Sequence, residues 1–295
     1  MSSRFEFTFL HYIGGKRRLV PRLLELLPPH RCYVEVFGGV AHLLLAKKPS
    51  AVEVYNDVDG RLVNLLKVVK ERGQELQERL EGLLYSRRVY LEFLREPLPG
   101  DPLEDAVRFF YVIRSSFKGK WGQGWAHGVT RNHAATYSSA VAQLRLVQQR
   151  LRNVNIEELD FRECIKTYDG PRTLFFCDPP YISPEHYEHN FGEKDHEDLA
   201  ELLRRVKGKW LLTYNDHPRI RHLYAGYPLM TVVRPVSTTL TRNCEVRGNW
   251  TQLIIANYEL PSAPQFLKKS LFPERVKIPG TRPAFKSHGP KVRSS

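Results

Sequence analysis

The stretch Tyr33-Val34-Glu35-Val36-Phe37-Gly38-Gly39-Val40-Ala41-His42-Leu43-Leu44-Leu45-Ala46-Lys47 decides the fold class. A β-branched and aromatic run ends in a glycine pair and passes into a leucine-rich run, which reads as strand, tight turn and helix. A second apolar run over 51–55 follows. The unit is therefore strand-helix-strand, and it predicts a parallel α/β sheet. The glycines at the turn let a ligand come close to the backbone. Asn56-Asp57 closes the second strand, about twenty residues on, where an acid can accept both hydrogen bonds of a ribose diol.

Upstream, Tyr12-Ile13-Gly14-Gly15-Lys16 precedes a predicted helix over 18–27, whose free backbone amides and dipole suit a carboxylate. Downstream, strands are predicted over 153–157, 173–177, 210–214, 229–236 and 251–258, with amphipathic helical segments such as 196–207 between several of them. The last two strands have no long helical segment between them and are expected to pair as an antiparallel hairpin at the sheet edge. Residues 60–152 differ: helical stretches over 61–82 and 86–94 lead into a glycine- and aromatic-rich segment over 117–137, and no strand is evident. The expected organisation is an α/β domain in two pieces, 1–59 and 153–260, split by an inserted, mainly helical subdomain over 60–152. Residues 261–295 form a basic tail.

The chain of 295 residues is 42% hydrophobic and 11% aromatic, ordinary for a globular protein. No apolar run approaches the roughly 18 residues that a membrane span needs, and a soluble cytoplasmic protein is expected. Cys32, Cys164, Cys177 and Cys244 are far apart, with no metal-type spacing; they read as reduced structural thiols, and no metal is expected. The net charge of +13 favours a polyanionic partner. The tail carries eight basic residues against one acid, Glu274, and so supplies seven of those charges; a solvated appendage and a DNA-tracking arm suit it equally.

Asp178-Pro179-Pro180-Tyr181 follows the apolar run Leu174-Phe175-Phe176-Cys177, and so falls at the carboxyl end of a strand, where open α/β sheets bind ligands. The tetrapeptide suits an arylamine, whose lone pair is delocalised into its ring. A carboxylate and a proline-fixed carbonyl can accept the amine hydrogens, and Tyr181 offers a ring face on which a base stacks, worth roughly 1–3 kcal/mol. A plain proline turn after a strand is the structural alternative.

Taken together and in this order, the motifs resemble the Dam-like adenine-specific DNA methyltransferases of bacteria and their phages, over most of residues 8 to 258. The resemblance implies a Rossmann-like S-adenosylmethionine-dependent methyltransferase sheet with an inserted target-recognition subdomain. It implies that Tyr12 and Lys16 contact the cofactor, that Glu35, Phe37 and Gly39 line its pocket, and that Asp57 holds its ribose. Asp160-Phe161 resembles the pocket for the cofactor's adenine end. Asp178, Pro179, Pro180 and Tyr181 would hold the target amine, with Asp178 also beside the cofactor. Thr213-Tyr214-Asn215-Asp216-His217 resembles a further turn near the active site. Ala41 departs from the pattern, standing where relatives carry a second glycine, and is expected to tighten the cofactor pocket. The insertion reads Ile113-Arg114-Ser115-Ser116-Phe117-Lys118-Gly119 where relatives often have Asn-Arg-x-x-Tyr-Asn-Gly, so recognition details do not carry over.

Lys118, Lys120, Trp121 and Trp125, with Arg131 and Asn132, mix cations, aromatics and amides as a DNA-facing hairpin would; an aromatic hairpin packed on its own domain is the alternative. The expected reaction is direct transfer of the methyl group of S-adenosylmethionine to N6 of an adenine flipped out of double-stranded DNA, at a cost of a few kcal/mol. Cys177 is expected to pack at its strand end and not to act as a nucleophile. A monomer is expected, and a companion restriction endonuclease is compatible with the resemblance. The rival readings are methylation of the cytosine amine or of RNA, and a non-catalytic DNA-binding relative.

Overall fold

The computed structural model describes residues 9–10, 16–182, 191–235 and 249–261. The chain divides into two units, Met1–Leu260 and Pro261–Ser295, and the elements below belong to the first. Its strands are β1 (Cys32–Glu35), β2 (Val52–Asn56), β3 (Val154–Glu157), β4 (Thr173–Cys177), β5 (Lys209–Asn215), β6 (Leu229–Pro235) and β7 (Asn249–Ala256). They form one sheet in the order β3-β2-β1-β4-β5-β7-β6. The five strands β1 to β5 are parallel, and β7 lies antiparallel between β5 and β6. The expected hairpin is thus present, with β6 at the edge. Strand order reverses between β1 and β4, and the carboxyl ends there open the crevice in which such sheets bind ligands.

The central strands read as unbroken apolar runs because both faces of the sheet are covered. Along β4, Leu174 and Phe176 enter one core while Phe175 and Cys177 enter the other, and β5 and β7 alternate in the same way. The first core is shared with α1 (Val20–Leu26), α2 (His42–Ala46), α3 (Gly60–Glu81), α4 (Arg87–Arg95), α5 (Pro102–Ser115), α6 (His133–Val141) and α7 (Leu144–Leu151). The second takes α8 (Phe161–Tyr168), α9 (Glu193–Arg205) and α10 (Pro218–Leu223). The helices of 60–152 therefore pack in one continuous core with the sheet.

Two of these helices show how the sequence sets their ends. Asp59 caps α3 by accepting from the amides of Arg61 and Leu62. Asp101 caps α5, with Pro102 in its first turn, Glu104 and Asp105 following, and Arg114 in its last turn, all matching the helix dipole. Yet α5 has no counterpart among the predicted elements. Residues 106 to 115 are buried on every side, so the helix lacks the polar stripe that marks a helical period, and Val-Arg-Phe-Phe-Tyr-Val-Ile is as compatible with a strand. On the sheet face that carries the first core, Arg150 of α7 donates to both carboxylate oxygens of Glu53 on β2, at 2.6 and 2.9 Å, and to Leu44 O. Lys47 meets the same carboxylate at 2.5 Å. No described helix is long and apolar enough to cross a membrane.

Candidate active site

The turn after β1 is shaped by one close approach. A Cβ on Gly38 would stand 2.2 Å from the ring of the fully buried Tyr55, so only glycine fits. Tyr55 OH in turn donates to Gly39 O at 2.7 Å, and Gly39 takes φ 50°. Asn56, at the end of β2, donates to Val36 O at 2.9 Å and Leu159 O at 3.0 Å and accepts from Leu159 N at 2.8 Å. One buried amide thus ties together the chain leaving β1, β2 and β3. Asp57 accepts from Gly39 N at 2.7 Å on Oδ2 and from Asp59 N at 2.9 Å on Oδ1, which fixes the carboxylate across the mouth of the turn.

Ala41 is left-handed, at φ 55° and ψ 33°. That costs an alanine about 1 kcal/mol. Its methyl is wholly buried in the core, and that packing helps offset the strain.

Glu35 is 1% exposed. Its Oε1 accepts from Tyr33 OH at 2.9 Å and from Leu44 N at 2.7 Å, while Oε2 is buried with no hydrogen-bond partner among the described residues. Burial pushes the carboxyl up to about 8 against the pull of those two donors and of Lys47, and the charge of Asp178 adds to the rise.

At the end of β4, Asp178 Oδ1 receives three donors: Lys16 Nζ at 2.8 Å, Thr213 Oγ1 at 2.7 Å and Tyr181 OH at 3.2 Å. Among the described residues no donor meets Oδ2, and the side chain keeps 15% of its surface exposed. Lys16 Nζ also lies 4.5 Å from the centroid of the Tyr181 ring. Gln252 Nε2 donates to Tyr181 OH at 2.9 Å, and Asn215 Nδ2 donates to Ile182 O at 2.9 Å. Burial holds the Tyr181 hydroxyl well above its ordinary range, so at neutral pH it carries its proton and donates. Cys177 packs in the core with its thiol raised by burial; an inert thiol matches the sequence expectation.

The structure brings Lys16, Asp178 and Tyr181 together at the end of β4, and Gly39 with Asp57 at the ends of the adjoining strands β1 and β2. Phe37 and Phe161 stack with centroids 5.6 Å apart, and Phe191 closes on both at 5.6 and 5.4 Å. Asp160 is exposed; it caps α8 through Arg162 N and pairs with the Arg162 side chain at 3.1 Å. Tyr12 lies outside the described residues, as does the side chain of Lys118. In the insertion, Trp121 stacks on Phe109 at 6.2 Å with Arg61 over it at 4.0 Å, and Trp125 packs on Tyr85 at 4.4 Å. Both indoles lie half-buried against the core. Lys120 is half-buried, and Arg131 and Asn132 are exposed, with Asn132 capping α6.

Sequence reasoning passed over Asn56, Phe191 and Gln252. The available signal was an amide side chain in or at the end of a strand, next to apolar residues, true of Asn56 and Gln252 alike; Phe191 gave none. Among the described residues no group of three metal-ligating side chains occurs.

The family model of the D12 class N6 adenine-specific DNA methyltransferases matches residues 12–238. The chain is 24% identical over 275 residues to the type II methyltransferase M1.LlaDCHI of Lactococcus lactis subsp. cremoris, covering 85% of this chain and 95% of that one. It is 23% identical over 265 residues to the DNA adenine methylase of Serratia marcescens, covering 83% and 96%. The crystal structure of SMU.472 complexed with SAH aligns at a TM-score of 0.37 and 8% identity, covering 88% of this chain and 56% of that one, a likeness too slight to build on.

Proposed function

Since the chain belongs to the D12 class N6 adenine-specific DNA methyltransferase family, we propose that Asp178, Pro179, Pro180 and Tyr181 hold the target amine while the crevice beside β1 holds the methyl donor. The enzyme methylates adenine in DNA and depends on S-adenosylmethionine. One observation carries the assignment of residues: three donors converge on Asp178 Oδ1 at the strand-order reversal, and Oδ2 remains to accept an amine hydrogen.

The residues present fit the cofactor. Gly38 and Gly39 give backbone close approach, Glu35 Oε2 is a buried carboxyl oxygen with no partner among the described residues, and Phe37, Phe161 and Phe191 form an aromatic cluster. Phe37 and Phe161 would flank the adenine end, Asp57 the ribose, and Lys16, Tyr12 and Glu35 the amino-acid end; Asp160, at the rim, would reach the same adenine end. Bound S-adenosylmethionine supplies an electrophilic methyl group on a sulfonium. The chain's part is to orient the acceptor nitrogen: Asp178 Oδ2 and the Pro179 carbonyl accept its two hydrogens, which directs the lone pair along the line of transfer. Lys16 holds Asp178 against rotation.

The DNA-facing role of Lys118, Lys120, Trp121, Trp125, Arg131 and Asn132, within a target-recognition region over 60–152, belongs to the same reading. The half-buried packing of both indoles supports a part for them in shaping this surface, with Arg131 and the glycine-flanked segment around Gln123 facing DNA directly. Action on double-stranded DNA by a monomer in a bacterial cell, with a companion restriction endonuclease where methylation guards a cleavage site, completes the proposal. To test it, the purified chain is incubated with labelled S-adenosylmethionine and duplex DNA and the product is digested to nucleosides. Label is expected in N6-methyl-2′-deoxyadenosine, and Asp178→Ala is expected to lower the rate by at least about a hundredfold. Undiminished transfer by that variant would overturn the assignment.

A further inference from the structure

We propose that Gln252 is a positioning residue for methyl transfer, acting on Asp178 through the hydroxyl of Tyr181; this rests on the adenine-methylating reading of the site. Gln252 is wholly buried in β7, a strand from which no other part of the assigned site is drawn. Its Nε2 donates to Tyr181 OH at 2.9 Å, and that hydroxyl donates to Asp178 Oδ1 at 3.2 Å. The direction of the relay is set at its far end. A carboxylate can only accept, so Tyr181 must donate to it, and the amide must then supply the hydrogen that the phenol oxygen accepts.

The position is an expensive place for an amide. Among the described residues Gln252 Oε1 is buried with no hydrogen-bond partner, which costs stability, and the next residues of the strand, Leu253, Ile254 and Ile255, are fully buried and apolar. A leucine would suit the packing better. What the amide adds is a fixed second anchor. Thr213 on β5 binds Asp178 directly, and Gln252 on the neighbouring strand, paired in register with Asn215, fixes the Tyr181 end. Asn215 holds the carbonyl of Ile182 one residue further along. Three side chains from two paired strands thus clamp the segment from Asp178 to Ile182 at three points. Chain torsions alone would leave the carboxylate free to turn about χ1 and χ2; the clamp selects one setting with Oδ2 presented to the substrate.

The test uses the full-length protein with duplex DNA and labelled S-adenosylmethionine, measuring kcat and both KM values alongside thermal melting. Gln252→Leu is expected to lower kcat about 5- to 10-fold, the value of one positioning hydrogen bond, with KM for S-adenosylmethionine unchanged and melting no lower than that of the parent. Tyr181→Phe should lose at least as much, and the double variant no more than Tyr181→Phe alone, because both act through one hydroxyl. Gln252→Glu keeps the shape but offers an acceptor that draws the Tyr181 proton away from Asp178; its loss of kcat should shrink as the pH is lowered, a response that packing alone would not give. Parental kcat in Gln252→Leu, or losses in the two single variants that add in the double, would overturn the inference. A parent chain that labels no adenine overturns the functional reading itself, and that is seen before any variant is compared.

Discussion

Glu35, proposed above for the cofactor's amino-acid end, works against stability. Its carboxyl titrates near 8 in the folded chain against an ordinary value of 4.5, so between those values the unfolded chain has released a proton that the folded chain still holds. Stability therefore falls as pH rises through that window and levels off above it. Glu35→Gln keeps the acceptor for Tyr33 OH and Leu44 N without the titration. Its stability is expected to lie close to the parent's at pH 5 and to exceed it by pH 8, by on the order of a few kcal/mol; parallel stability curves across that range would contradict the assigned burial effect. In the same variant S-adenosylmethionine should bind more weakly by calorimetry, since Oε2 is assigned to the cofactor's amino-acid end. The acidity pattern was not legible in the sequence: Glu-Val-Phe-Gly-Gly marks a turn, but only the fold buries the carboxylate between Tyr33 and the start of α2.

At the scale of elements, the unit from β1 to β2 was legible because each of its parts is local. The strand period, the glycine pair and the leucine run are written in consecutive residues. The tie that holds strand ends together is not local. Asn56 Oδ1 and Nδ2 reach Leu159, 103 residues away along the chain, as well as Val36. Asn56→Ala would leave a buried amide and two carbonyls short of partners, and we expect it to cost about 3 kcal/mol, read from urea unfolding midpoints at unchanged slope. A loss below about 1 kcal/mol would mean that water replaces the side chain. Because Leu159 precedes the Asp160-Phe161 pair, cofactor affinity should fall in that variant as well. Helix α5 illustrates the opposite limit: its caps are local and readable, but its apolar interior matches helix and strand equally, and the surrounding helices settle the choice.

At the scale of the molecule, the helices of 60–152 and the sheet share one hydrophobic core, and a buried ionic group pins them together. Arg150 of α7 and Lys47 both hold Glu53 on β2, which lowers its carboxyl from the ordinary value despite burial. Removing one cation from such a group leaves the remaining charge under-compensated. Arg150→Met should therefore destabilise by about 3 kcal/mol, at the lower end for breaking a buried ion pair because Lys47 remains, and the loss should appear as a single shifted transition in thermal melts. A new early transition, with the sheet melting later, would instead show the helical region to be an independently folding body.

What the sequence by itself determined is the α/β class, the edge hairpin and the carboxyl-end position of Asp178-Pro179-Pro180-Tyr181, because periodicity, glycine turns and prolines act over a few neighbouring residues. Tertiary structure alone decided which side chains converge on that tetrapeptide. Lys16, Thr213 and Gln252 come from distant parts of the chain and meet at Asp178 and Tyr181 only when strands pair in one register; a shift of one residue would turn Thr213 and Gln252 to the opposite face. It also decided that Trp121 and Trp125 pack against the insertion's own helices, since an aromatic among glycines and cations has the same sequence signature whether it faces DNA or a core.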